Sequence, residues 1–145
     1  MNERADILLI EDNLNEAELT FRALKKIKMF LKMVHLENGE EALDYIFGTG
    51  KYEGRNIMDF PRVILLDLNM PKVNGIEVLR RIKGDERTRI IPVVILTTSS
   101  EQRDVMTCYN LGANSYIIKP VEYDNFVKSL TGIGMYWLFN NHLPV

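Results

Sequence analysis

At 145 residues the chain is the size of one ordinary domain, with enough surface to bury for a core that needs no staples. Apolar residues make up 46% and charged residues 26%, the balance of a folded globular protein rather than a disordered or fibrous one. A net charge of −2 lacks the basic excess behind most non-specific nucleic-acid affinity, so direct nucleic-acid binding is not expected.

Cys108 is the only cysteine, which excludes an intrachain disulfide and a multi-cysteine metal site. It reads as a small buried hydrophobe, and a reducing cytoplasm is the simplest compartment. The start, Met1 to Asp6, has no basic-then-apolar leader pattern, and no apolar run is long enough to span a bilayer, so neither export nor a membrane anchor is expected.

Short apolar runs alternate with longer amphipathic stretches, the pattern of a parallel sheet covered by helices on both faces. Ile7 to Ile10 form the first strand, ending in Glu11 and Asp12. A helix follows from about Leu14 to Lys28, with Ala17, Phe21, Leu24 and Ile27 on one side. Lys32 to Leu36 read as the second strand. Asn38 caps the next helix, where Glu40 and Glu41 favour the first turn and Ala42, Leu43, Ile46 and Phe47 are apolar.

Gly48 to Pro61, with three glycines and little periodicity, is a long surface connection. Val63 to Leu66 form the third strand and close on Asp67. Asn74 caps a helix with Ile76, Leu79 and Ile82 toward the core, and Pro92 opens the fourth strand, Val93 to Leu96, closing on Thr97. Ser99 or Ser100 caps the next helix, which Gly112 stops after Leu111. Tyr116 to Ile118 are the fifth strand, ending at Lys119 and Pro120. The last helix runs from about Glu122 toward Asn140.

Five strands and five helices in alternation define an α/β fold: a doubly wound, flavodoxin-like parallel sheet, expected in the order 2-1-3-4-5. A parallel sheet brings the strand ends Glu11, Asp12, Asp67, Thr97 and Lys119 to one edge. Three carboxylates crowded there repel one another unless a cation sits among them, and an all-oxygen cluster suits Mg²⁺. Each residue alone has a structural explanation as turn former, cap or solvated charge. Their convergence on the crevice where ligands bind in such sheets does not.

The segments Ile7-Leu8-Leu9-Ile10-Glu11-Asp12-Asn13, Ile64-Leu65-Leu66-Asp67-Leu68-Asn69-Met70-Pro71 with Gly75, Ile95-Leu96-Thr97-Thr98-Ser99 and Tyr116-Ile117-Ile118-Lys119-Pro120 resemble the receiver domains of two-component response regulators. The resemblance runs from about Arg4 to Asn140. The long Gly48 to Pro61 connection, the Thr97-Thr98-Ser99 run and the apolar end of the last helix are similar to the phytochrome-associated response regulators.

The resemblance implies that Asp67 is phosphorylated by a histidine kinase, with a phytochrome as one candidate. It implies Mg²⁺ bound by Asp12, Asp67 and the backbone carbonyl of Asn69, with Glu11 acting through water. It implies that Lys119 and Thr97 contact the phosphoryl oxygens, that Thr97 and Tyr116 form the switch, and that the Lys119–Pro120 bond is cis. Asn69, Thr98 and Ser99 would tune dephosphorylation, with Thr98, larger than the residue usual there, restricting water. Pro71 and Gly75 turn the chain sharply away from Asp67.

Residues 1–145 are expected to form a single receiver domain without an output domain, so its signal would leave through a surface. Phe126, Leu130, Ile133 and Trp137 form a core-facing stripe on the last helix, while Met135, Tyr136, Leu138 and Phe139 lie beyond it. A homodimer or kinase contact would cover them, unless the segment folds back on its own sheet. Two rivals are weighed. A haloacid-dehalogenase-type phosphatase needs a general acid two residues after its nucleophile, where Asn69 stands. A flavodoxin-like cofactor carrier needs a glycine-rich first turn, which Asp12 to Asn15 does not supply. His35 and His142 have no ligand spacing and are given no role.

Overall fold

A computed structural model describes residues 5–27, 31–120 and 122–142. In chain order the elements are β1 (Ile7–Ile10), α1 (Leu14–Lys25), β2 (Met33–Leu36), α2 (Gly39–Phe47), β3 (Val63–Leu66), α3 (Gly75–Gly84), β4 (Val93–Thr97), α4 (Gln102–Leu111), β5 (Ser115–Ile118) and α5 (Tyr123–Met135). Every neighbouring strand pair is parallel, and the sheet order is β2-β1-β3-β4-β5, as the alternation of elements predicts. Ile10 lies in register with Leu36 on one side and Leu66 on the other, which brings the residues after β1 and β3 side by side.

Successive side chains of a strand point to opposite faces, and the apolar runs divide accordingly. Leu8, Ile10, Ile64, Leu66, Val93 and Ile95 pack with Ile46 of α2, Val78, Leu79 and Ile82 of α3, and Cys108 of α4. Ile7, Leu9, Val63, Leu65 and Val94 pack with Ala17 and Leu24 of α1, beside a smaller cluster holding Phe126 and Leu130 of α5. The central strands β1, β3 and β4 are buried along their whole length, whereas the edge strands β2 and β5 are mostly half-buried. Burying one large aliphatic side chain contributes about 1.5–3 kcal/mol, so this double-faced core is the main support of the edge on which the polar residues stand.

Asparagine caps three helices. Asn13, Asn38 and Asn74 each accept a hydrogen bond from the backbone N–H of a glutamate three residues on, Glu16, Glu41 and Glu77. The expected serine cap of α4 is corrected: Glu101 occupies the cap position without a side-chain bond, because Ser99 Oγ donates instead to Asp104 Oδ2 at 2.5 Å. α1 ends at Lys25, short of the predicted end, and Lys28 lies outside the described residues.

The connection from Gly48 to Pro61 folds back on α2. The Arg55 guanidinium stacks 4.1 Å from the Tyr45 ring centroid and donates to the carbonyls of Tyr45 and Asp59, so the segment is held along its length. Beyond α5 the chain continues as one wider π turn, Tyr136–Asn140. A π turn takes in an extra residue, and Leu138 is buried beside Trp137 rather than lying beyond the stripe as predicted. Met135, Tyr136 and Phe139 are exposed as expected. Gly134 lets α5 approach α1, since a Cβ there would meet Ile27 and Leu24 at under 3 Å.

Candidate functional site

Glu11 and Asp12 follow β1, Asp67 follows β3, Thr97 ends β4 and Lys119 follows β5. One carboxylate oxygen from each of Glu11, Asp12 and Asp67 lies within 4.8 Å of the others, and this is the one acidic cluster of that kind among the described residues. Glu11 and Asp67 are buried, while Asp12 is exposed at the mouth. Asp12, Leu68, Asn69, Met70, Pro71 and Asp104 line the open groove beside it.

Lys119 is the central cation. Its Nζ donates to Glu11 Oε1 at 2.6 Å and to Glu16 Oε2 at 3.0 Å, and lies 3.9 Å from Asp67 Oδ2. Burial disfavours the charge on both Lys119 and Glu11. For Lys119 the acidic neighbours, Glu11 first, outweigh burial and hold the ammonium above the ordinary lysine value. For Glu11 burial prevails over the pull of Lys119, and the carboxyl is pushed up to about 7. An oxygen-only set of three carboxylates with one open side fits a hard divalent cation such as Mg²⁺, whose charge would draw that value down again.

The backbone fixes these groups. Asp67 N–H donates to the carbonyl of Ile10, and Asp67 Oδ1 accepts from Leu68 N–H at 2.8 Å, which orients the carboxylate. Glu11 Oε2 accepts from Asn13 N–H at 3.1 Å. The His35 ring Nε2 lies 2.7 Å from the Glu11 carbonyl, which can only accept, so Nε2 carries the proton. Gly75 N–H donates to the carbonyl of Leu68, and a Cβ on Gly75 would sit 2.2 Å from the Asp67 carbonyl. Glycine is what allows α3 to start against the site. The left-handed residue in the turn between them is Lys72, with φ 66°.

Thr97 is fully buried at the end of β4. Its Oγ1 accepts a long 3.4 Å bond from Ser99 N–H, and the Ser99 carbonyl accepts from the Tyr116 hydroxyl at 2.9 Å. Ser99 thus connects Thr97, Tyr116 and, through Asp104, the first turn of α4. Thr98 between them is exposed. No peptide bond among the described residues is cis, so the Lys119–Pro120 bond is trans and the cis expectation is corrected. The trans form is the ordinary state of an X–Pro bond. Lys119 N–H donates to the Thr97 carbonyl at 2.7 Å, and the side chain reaches Glu11 with the bond trans.

Three residues of this edge do not emerge from the strand-end pattern: Glu16, Asp104 and His35. Glu16 and Asp104 stand in first turns of helices that begin at the edge, and a position three residues past the Asn13 cap is the signal that could have drawn attention to Glu16.

The chain belongs to the response regulator receiver domain family, whose model matches residues 7–131. The probable methanogenesis regulatory protein FilR2 of Methanothrix harundinacea is 42% identical over 138 residues, covering 95% of this chain and 86% of that protein. Response regulator Rcp1 of Synechocystis is 37% identical, covering 95% of this chain and 92% of Rcp1. A Mn²⁺-bound crystal structure of Rcp1 covers 96% of this chain and 98% of its own, with a TM-score of 0.89. The phosphorylated cyanobacterial phytochrome response regulator RcpA is 36% identical, covers 99% of this chain and 100% of its own, and has a TM-score of 0.91.

Proposed function

We propose that Asp67 accepts a phosphoryl group from the phosphohistidine of a histidine kinase in a Mg²⁺-dependent reaction, and that the modified domain signals through protein contacts. The observation that carries this reading is the Lys119 ammonium held 3.9 Å from Asp67 Oδ2, with the carboxylates of Glu11, Asp12 and Asp67 within 4.8 Å of one another. Asp67 Oδ2 attacks phosphorus, the P–O bond forms as the P–N bond breaks, and the imidazole nitrogen leaves with the electron pair. Lys119 meets the charge on the phosphoryl oxygens, and the Thr97 hydroxyl donates to another of them. Asp12, Asp67 and the Asn69 carbonyl would hold Mg²⁺, with Glu11 contacting it through water. Bound there, the ion neutralises charge on the acceptor and the transferred group.

The chain performs no turnover on a separate substrate in this reading; it assists only its own phosphorylation and dephosphorylation. Neither the phosphatase nor the cofactor-carrier alternative is favoured, since Asn69 cannot serve as the phosphatase's general acid. Similarity to the phytochrome response regulator RcpA supports a phytochrome as the kinase. Loss of the resting contacts around Ser99 as Thr97 moves toward the phosphoryl group would bias Tyr116 and α4, a shift between two pre-existing states.

Intact mass after incubation with acetyl phosphate tests the reading. The wild type should gain one phosphoryl mass with Mg²⁺ and none with a chelator, and Asp67→Asn should gain none in either. An unmodified wild type, where a known receiver is modified, would leave the fold without this function.

A further inference from the structure

Two carboxylates hold the Lys119 ammonium, and only Glu11 belongs to the strand-end set. The other is Glu16, in the first turn of α1. An ammonium has three N–H donors. Glu11 at 2.6 Å and Glu16 at 3.0 Å take two, while Asp67 Oδ2 at 3.9 Å lies beyond hydrogen-bond reach. The side chain is 4% exposed, so bulk water does not readily serve the third donor. In an aspartyl phosphate the phosphoryl oxygens lie two bonds beyond Oδ2, through phosphorus, where one of them can accept the third N–H of Lys119.

The backbone of Glu16 is itself held in place. Its N–H donates to Asn13 Oδ1 at 3.1 Å, and Asn13 N–H donates to Glu11 Oε2 at 3.1 Å. Glu11, Asn13, Glu16 and Lys119 therefore close a ring of hydrogen bonds. Lysine is a flexible four-carbon side chain, so fixing its head takes more than one partner. Freed from Glu16, the ammonium could move onto Asp67 Oδ2 and occupy the oxygen that must attack phosphorus.

We propose that Glu16 is a positioning residue for phosphoryl transfer: it takes the second N–H of Lys119 so that the third stays directed at the phosphoryl group on Asp67. This rests on the phosphoacceptor reading above. Because three donors meet three acceptors, Glu16 need not be displaced when the phosphoryl group arrives. It aids the reaction rather than competing with it.

The test is the rate of phosphorylation as a function of phosphoramidate concentration with Mg²⁺, for the wild type, Glu16→Gln and Glu16→Ala, with thermal midpoints as a check on folding. Glu16→Ala should lower the limiting rate about 3- to 10-fold with half-saturation little changed. Glu16→Gln, whose carbonyl can accept the same N–H, should stay within about twofold of the wild type on the same grounds of position. In a Lys119→Ala background the Glu16→Ala change should add nothing. Overturning outcomes are an alanine variant as fast as the wild type or faster, a glutamine variant as slow as the alanine one, or an undiminished effect without Lys119. A wild type that takes no phosphoryl group would instead overturn the reading beneath the proposal.

Discussion

Single side chains at the β-sheet edge carry distinct loads. Lys119 is held by acids and kept charged, Thr97 is buried beside a serine that binds both Tyr116 and Asp104, and Thr98 stands exposed between them. If Thr98 limits the approach of water, Thr98→Ala should shorten the aspartyl-phosphate lifetime about two- to fivefold, measured as loss of phosphoryl mass after the donor is removed; an unchanged lifetime rules out that role. Cys108 is fully buried, and burial, with the nearby Asp104 charge, pushes its thiol up to about 11. Its reaction with a disulfide reagent at pH 8 should therefore be at least about 100-fold slower in the native protein than in denaturant. Comparable rates would mean that the α4 side of the core opens readily. Cys108 was legible from the sequence because a lone cysteine on an apolar face has a well-defined packing role. Glu16 was not, because its reach to Lys119 depends on how α1 lies across the sheet edge, which no local spacing encodes.

The elements follow local rules that agree with the tertiary fold. Asn38 satisfies the N–H of Glu41 at 2.8 Å, so Asn38→Ala should cost about 1 kcal/mol in denaturant unfolding with an unchanged m-value. A cost near zero would show that another group replaces the cap. The strands were readable because β1, β3 and β4 are continuous apolar runs buried on both faces, and the starts of α2 and α3 because Asn38 and Asn74 precede them. Where the reading failed, a side chain had a stronger tertiary claim. Ser99 gives its hydroxyl to Asp104 rather than to a helix cap, the π turn after Met135 rotates Leu138 into the core, and the Lys119–Pro120 bond remains trans. Strand ends alone pointed to Glu11, Asp12, Asp67, Thr97 and Lys119, because a parallel sheet gathers its strand ends at one edge whatever its loops do.

On the scale of the whole molecule, one edge of the sheet holds the buried charges Glu11, Asp67 and Lys119, and α4, β5 and the α5 region hold most of the exposed large apolar residues, with Leu14, Met58 and Ile90 elsewhere. Met106, Tyr109, Ile118, Tyr123, Met135, Tyr136 and Phe139 are each 40% exposed or more. A homodimer that covers the end of α5 predicts a dimeric sedimentation mass at micromolar concentration, weakened by the double change Tyr136→Ser and Phe139→Ser; a monomer with and without phosphorylation would leave that surface to the kinase or another partner. Whichever partner is met, the proposed phosphoryl signal would originate at Asp67, buried 3.9 Å from Lys119. The most direct test is peptide mapping after treatment with phosphoramidate and Mg²⁺, with borohydride reduction to trap the aspartyl phosphate. The account predicts the reduced product at residue 67 alone, abolished by a metal chelator. A product at another carboxylate, or formed equally well without the metal, would contradict it.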